Sequence, residues 1–158
     1  SRSKFEIEKK LIKYNSICLR TNFFGKSEHA TKLSFSDKIY NSCINKSNLN
    51  LFKDVYFSPV SFNTIFKVIE ILIKKKITGI YNLGTKNGMT KEEFAVYFCK
   101  CLNLNNKYII GNSLKDINLS AKRPGDMRLD SSKLEADLNI QLQNLRNEIN
   151  SIKDSYIK

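Results

Sequence analysis

Apolar residues recur along the chain with two spacings, one suited to helices and one to short strands. Residues 3–14 set Phe5, Leu11, Ile12 and Tyr14 among Glu and Lys, the pattern of a helix end with an exposed face. Ser16-Ile17-Cys18-Leu19-Arg20-Thr21 is short and β-prone and predicts a buried strand. Residues 22–33 hold Gly25, several charges and the single His29, and read as loop. Ser34-Phe35-Ser36-Asp37 opens a helix to about Asn45, with Ile39, Tyr40, Cys43 and Ile44 as its apolar positions. A weak strand follows over residues 50–55.

Ser58-Pro59-Val60-Ser61 predicts a turn, and Ser61 caps a long helix that runs to Lys76. The three Lys that end this helix suit the negative end of its dipole. Gly79-Ile80-Tyr81-Asn82-Leu83-Gly84 is a strand bounded by glycines. Thr90-Lys91-Glu92-Glu93 is a capping box for a helix to about Leu102. A short strand over 107–110, a loop over 120–130 and a short helix capped by Ser131 or Ser132 come next. Residues 142–156 predict a last amphipathic helix with Leu145, Ile149 and Ile152 on one face.

Alternating helices and strands point to an α/β or α+β unit, with strands too few and too short for a complete doubly wound sheet. At 158 residues the length fits about one domain. The most apolar window, residues 68–73, contains Glu70 and runs into three Lys, so no run reaches the roughly 18 residues of a membrane span. Ser1-Arg2-Ser3-Lys4 leads into an amphipathic segment, which is not a secretory signal pattern.

The net charge of +12 changes this picture less than its size suggests. The positives are mostly Lys spread along the chain, with Arg only at 2, 20, 123, 128 and 146. No nucleic-acid motif accompanies them, which argues against a dedicated nucleic-acid site, while the dispersed field favours a phosphate-bearing small molecule. Cys18, Cys43, Cys99 and Cys101 form no C-x-x-C pair, and the two on one helix point apart, so no metal site is expected and the thiols are read as reduced. His29 reads as an exposed loop residue. Phe23, Phe24, Tyr56 and Phe57 read first as core aromatics, with base stacking as the alternative.

Arg123-Pro124-Gly125-Asp126, followed by Leu129-Asp130-Ser131-Ser132-Lys133-Leu134-Glu135, carries the chemistry. The planar guanidinium matches phosphate oxygens and stays charged near neutrality, and Pro-Gly turns the chain just after it. Taken in order, the segment ending Leu19-Arg20-Thr21-Asn22-Phe23-Phe24-Gly25, the Ser58-Pro59 turn, the 79–84 strand, the Thr90 capping box and this loop resemble one known succession. It is the C-terminal half of the dTDP-4-dehydrorhamnose reductase-like branch of extended short-chain dehydrogenases, within the NAD-dependent epimerase/dehydratase superfamily. The resemblance runs from Ser1 to about Ile149.

The resemblance implies an α/β fold of Rossmann type. Residues 1–25 would end the cofactor domain, and 26–158 would be mainly a substrate-binding lobe with returning Rossmann elements over about 50–85. It implies NAD or NADP as cofactor of the intact protein and a nucleotide-diphosphate sugar as ligand. Lys4 falls where the Lys of the catalytic Tyr-x-x-x-Lys pair belongs, lowering the tyrosine pKa and holding the nicotinamide ribose. That tyrosine would lie immediately before Ser1. Thr21 and Phe23 would line the nicotinamide side, Asn22 would hydrogen-bond the sugar nucleotide, and Arg123 would clamp the diphosphate. Asp126 would shape the loop or meet the nucleotide. Asn82 and Asn63 depart from the His and Asp frequent in rhamnose-type reductases, which opens the choice of sugar.

The expectation is therefore the substrate-binding portion of a cytoplasmic NAD(P)-dependent sugar-nucleotide reductase, truncated and inactive alone, with a homodimer admitted for the intact protein and no membrane partner. The alternatives are a fragment of a nucleotide-sugar epimerase or dehydratase, and a stand-alone nucleotide-sugar or basic nucleic-acid binding module. Phe5, Leu11 and Leu19 are expected to face water and to promote association.

Overall fold

Three helix starts are fixed by side chains that satisfy backbone N–H groups the helix itself leaves open. The structure, a computed structural model, describes residues 2–29, 31–117 and 124–157. Ser34 accepts from the Asp37 amide and starts α2 (Phe35–Ile44), and the Asp37 carboxylate accepts in turn from Ser34 N. Thr90 and Glu93 make the same reciprocal box at the start of α4 (Lys91–Cys101). Ser61 caps α3 (Phe62–Lys74) through the Thr64 amide at 3.3 Å. A fourth helix, α1 (Arg2–Leu11), opens the chain and is tied to the next strand by the Glu8–Arg20 ion pair.

Most strand pairing is parallel and non-local. Strand β1 (Ile17–Thr21) pairs in parallel with β6 (Gly79–Leu83), and β2 (Phe23–Phe24) with β5 (Val60–Ser61). Likewise β3 (Leu49–Phe52) pairs with β8 (Ile109–Asn112). A three-stranded ribbon has β4 (Tyr56–Phe57) at its centre, with β7 (Met89–Thr90) antiparallel on one side and β9 (Asp126–Met127) parallel on the other. Two further helices, α5 (Ser132–Leu138) and α6 (Leu145–Ser151), follow. Parallel sheets with helical crossovers match the α/β class expected from the sequence.

Two hydrophobic cores form. One is aromatic, with Phe24, Phe57, Phe94, Phe98 and Tyr156 packed beside Ile39, Leu145 and Ile149. The other is aliphatic, with Val60, Val68, Leu72, Leu83, Leu134 and Leu138 beside Tyr81. Glu148 is buried between polar partners at the start of α3: its carboxylate accepts from Ser61 N at 2.9 Å and Thr64 Oγ1 at 2.6 Å. All four cysteines are free, and Cys43 and Cys99 bring their sulfurs within 3.3 Å inside the aromatic core. Among the described residues no group of three metal-binding side chains gathers, and no helix is long and apolar enough to cross a membrane.

The structure corrects several boundaries. Residues 23–24, expected as loop, pair as β2. Asn105 caps a single 3-10 turn over Asn106–Tyr108, which shifts the strand expected at 107–110 to 109–112. The last helix begins only after Asn144, which caps it through the Asn147 amide, so residues 142–143 are not helical. β1 is less buried than expected, with Cys18 its one buried residue. Phe5 and Leu11 are exposed, as anticipated, but Leu19 is half-buried against the aliphatic core. Helix α3 also turns Phe66, Ile69 and Ile73 to solvent, opposite the buried Val68 and Leu72.

Candidate functional site

Where β1 ends, the chain is pinned to its neighbour. Val60 N donates to the Asn22 carbonyl at 2.9 Å, so Asn22 bridges from β1 to the short β2–β5 pair. Gly25 follows in a conformation (φ +146°) that suits glycine, with a Cβ there lying 2.7 Å from the Phe62 ring. Its N–H donates to Ser36 Oγ, which returns the bond to Gly25 O. Phe23 leans on Phe62 with ring centroids 5.0 Å apart.

A cavity of about 320 Å³ opens at this strand end. Thr21, Asn22 and Lys91 are its polar lining, and Phe23, Phe35, Phe57, Pro59 and Met127 its apolar walls. Three of the residues expected from the sequence, Thr21, Asn22 and Phe23, thus share one concavity. Lys4 lies on exposed α1 and is not among the lining residues. Arg123 lies outside the described residues.

The segment after Arg123 is held by the ribbon. Tyr56 N donates to Gly125 O at 2.7 Å, and β9 then runs along β4 with Tyr56 opposite Asp126 and Phe57 opposite Met127. The Asp126 carboxylate is grasped by Arg128: Nε donates at 3.0 Å, a terminal nitrogen at 2.6 Å, and the Arg128 backbone N–H at 3.0 Å. Those side-chain bonds, then the backbone bond, hold the carboxyl down to about 2. The Arg128 guanidinium also stands 5.3 Å from the Tyr56 ring centroid. Asp126 therefore spends its oxygens inside its own turn. Arg128 was not singled out by sequence, although its spacing of two from Asp126 was open to reading.

Ser58 and Ser131 stitch the adjoining loops. Ser58 Oγ accepts from Leu129 N at 2.9 Å, and its carbonyl accepts from Thr85 N at 3.0 Å. A Cβ at Gly84 would sit 2.6 Å from Ser58 Oγ and 2.9 Å from Ser58 O, so this approach needs glycine. Ser131 holds the N-cap position of α5, but its hydroxyl exchanges hydrogen bonds with Gly84 N and O instead of capping. Asp130 accepts from Ser132 N at 2.9 Å in its place. Asn82 donates to the Asp130 carbonyl at 3.2 Å.

Residues 1–157 match the family model described as the RmlD substrate binding domain. The chain belongs to this family. Among solved structures, the RmlD-family chain is similar to the dTDP-4-dehydrorhamnose reductase of Bacillus anthracis in complex with NADP: TM-score 0.77, 16% identity, 88% of this chain and 48% of that one. A hypothetical dTDP-4-dehydrorhamnose reductase from Sulfolobus tokodaii gives a TM-score of 0.65 at 25% identity, over 83% of this chain and 45% of that one. The UDP-N-acetylglucosamine 4-epimerase of Methanobrevibacter ruminantium, in complex with UDP-N-acetylmuramic acid, gives 0.72 at 15% identity, over 98% and 52%. The RmlD-family chain thus spans about half the length of these structures. No curated protein sequence matches it.

A nicotinamide dinucleotide needs a glycine-rich strand-to-helix turn for its pyrophosphate. The chain's glycines, at 25, 79, 84, 88, 111 and 125, form no G-x-x-G-x-x-G. These residues do not fit the pyrophosphate half of such a cofactor.

Proposed function

We propose that this chain is the nucleotide-sugar-binding portion of an NAD(P)-dependent sugar-nucleotide reductase. The observation that carries the reading is one cavity lined by Thr21 at the end of β1, by Asn22 beyond it, by Phe23 of β2 and by Met127 of β9. Membership of the RmlD substrate binding domain family supports it. Asn22 hydrogen-bonds the sugar nucleotide, Arg123 clamps the diphosphate, and Asp126 with Arg128 stiffens the turn that follows Arg123. In the intact enzyme, Thr21 and Phe23 border the nicotinamide, and Lys4 serves the catalytic tyrosine. Residues 1–25 then close the cofactor domain and 26–158 form mainly the substrate lobe.

Titration calorimetry on the 158-residue chain tests this reading. Saturable binding of a dTDP-sugar is expected, weakened at least about tenfold by Arg123→Ala, the loss of one charge-assisted bidentate contact. Absence of saturable binding to any nucleotide diphosphate would overturn it.

A second reading, part of an epimerase, is favoured by the 98% coverage of this chain in the Methanobrevibacter ruminantium epimerase match. Ranking dTDP-, UDP- and GDP-sugars by affinity separates the two: the reductase reading expects dTDP to lead, the epimerase reading UDP.

A further inference from the structure

Two of the four free thiols meet inside the aromatic core, and they come from different helices. Cys43 lies on α2 and Cys99 on α4, with their sulfurs 3.3 Å apart in hydrogen-bond contact. Each follows the first residue of its helix by eight positions, Phe35 in one case and Lys91 in the other. Phe35 and Lys91 both line the cavity at the end of β1, so the two helices leave that cavity side by side and reach the thiols about two turns later. Cys101 turns elsewhere and donates to Asn150 Oδ1 at 3.0 Å, and Cys18 belongs to β1.

Contact at 3.3 Å leaves nothing between the two sulfurs. A disulfide needs them at about 2.05 Å, an approach of about 1.3 Å that side-chain torsions can supply. The bonded pair occupies less space than two thiols in contact, so a close-packed core accepts it without expanding. The two sulfurs differ in access: Cys99 is fully buried, while Cys43 keeps 8% of its surface. Burial, then the neighbouring Cys43, pushes the Cys99 thiol up and keeps its proton on. Cys43 is therefore the sulfur that a small oxidant meets first, and Cys99 the one that resolves it.

We propose that Cys43 and Cys99 are a peroxide-sensitive dithiol that closes into an intrachain disulfide and clamps α2 to α4. The Cys43 thiolate attacks one peroxide oxygen: an S–O bond forms, the O–O bond breaks, and hydroxide leaves and takes up the thiol proton as water. Cys99 then attacks the Cys43 sulfur: the S–S bond forms, the S–O bond breaks, and a second water departs with the Cys99 proton. Two sulfurs are oxidised, one peroxide is reduced, and the loop from residue 43 to residue 99 is closed. Closing so long a loop restricts the unfolded chain more than the folded one, so the oxidised protein is the more stable form.

The test treats the reduced 158-residue chain with hydrogen peroxide, removes the excess with catalase and maps the thiols by mass spectrometry. Three results are expected: a chain lighter by two hydrogens, a peptide pair linked through Cys43 and Cys99 in a non-reducing digest, and a melting temperature raised by about 5–15 °C. Dithiothreitol should reverse all three. Cys43→Ala and Cys99→Ala should each abolish the link and the shift, whereas Cys101→Ala should leave both. Where a core variant does not fold, the linked peptide of the wild type still decides. Cys43 and Cys99 left free by a peroxide dose that consumes glutathione in the same buffer, or a link through Cys18 or Cys101 instead, would overturn the proposal. A link that left the melting temperature unchanged would overturn the clamp.

Discussion

The Tyr156 hydroxyl donates to Asp37 Oδ1 at 2.7 Å, joining the chain's last turn to the first turn of α2 across 119 residues. Asp37 Oδ2 meanwhile accepts the Ser27 and Ser34 amides at 3.1 and 2.9 Å. Tyr156→Phe keeps the ring against Phe98 and Tyr40 but leaves Oδ1 without this donor. A stability loss of about 1–2 kcal/mol is expected in urea denaturation, with the m-value unchanged.

The same pair gives the fold two pH limits. Burial is the largest influence on Asp37 and raises its pKa, but the bonds from Tyr156, Ser34 and Ser27 together outweigh it and leave the carboxyl below its ordinary value. Its contribution is thus present above the unfolded pKa of about 3.9 and lost as pH falls through the lower folded value. Burial, the largest influence on Tyr156, raises the phenol, so its contribution is present below about pH 10 and lost above. Melting temperature against pH should fall at both ends, and Tyr156→Phe should flatten the alkaline limb.

Gly84→Ala is expected to cost about 1–3 kcal/mol, because the new methyl meets Ser58 Oγ and O at 2.6 and 2.9 Å. Ser58 also holds Leu129 N, so the displacement should carry into the turn that follows Arg123. Reduced nucleotide-diphosphate affinity, measured well below the melting temperature, is the accompanying readout.

Glu148→Ala removes the acceptor of both Ser61 N and Thr64 Oγ1 in a buried setting. A loss of about 2–3 kcal/mol is expected from chemical denaturation, larger than for Glu148→Gln, which keeps one acceptor oxygen.

Phe66, Ile69 and Ile73 expose an apolar stripe along α3. Sedimentation velocity should find association that grows with protein concentration, and Phe66→Lys with Ile73→Lys should reduce it without lowering the melting temperature. A sharply monomeric wild type would remove the basis for this expectation.

Helix starts were legible in the sequence because a cap is a local bargain between one side chain and amides three residues on. Ser34, Ser61 and Thr90 act as their spacing predicts. Asn144 obeys the same rule and sets the true start of the last helix at Leu145, short of the 142–156 that the apolar spacing alone predicts. Ser131 broke the rule for a reason no local window contains: the buried Gly84 N–H and carbonyl, 47 residues away, take its hydroxyl. The site divides the same way. Thr21, Asn22 and Phe23 are consecutive at a strand end and could be read together. Lys91 joins them only through the pairing of β7 with β4, a register that nothing near residue 91 announces.

The parallel pairs have a consequence for the order of assembly. Ile17 cannot meet Gly79 until the residues between them exist, and Leu49 must wait in the same way for Ile109. The two intervals overlap over residues 49–79, so neither closure can be finished and set aside as a separate piece. Long closures of this kind slow folding, with β1 and β3 left as unpaired edges meanwhile. A cut or circular permutation placed between residues 49 and 79 would sever both closures at once, whereas one near residue 30 would sever only the first.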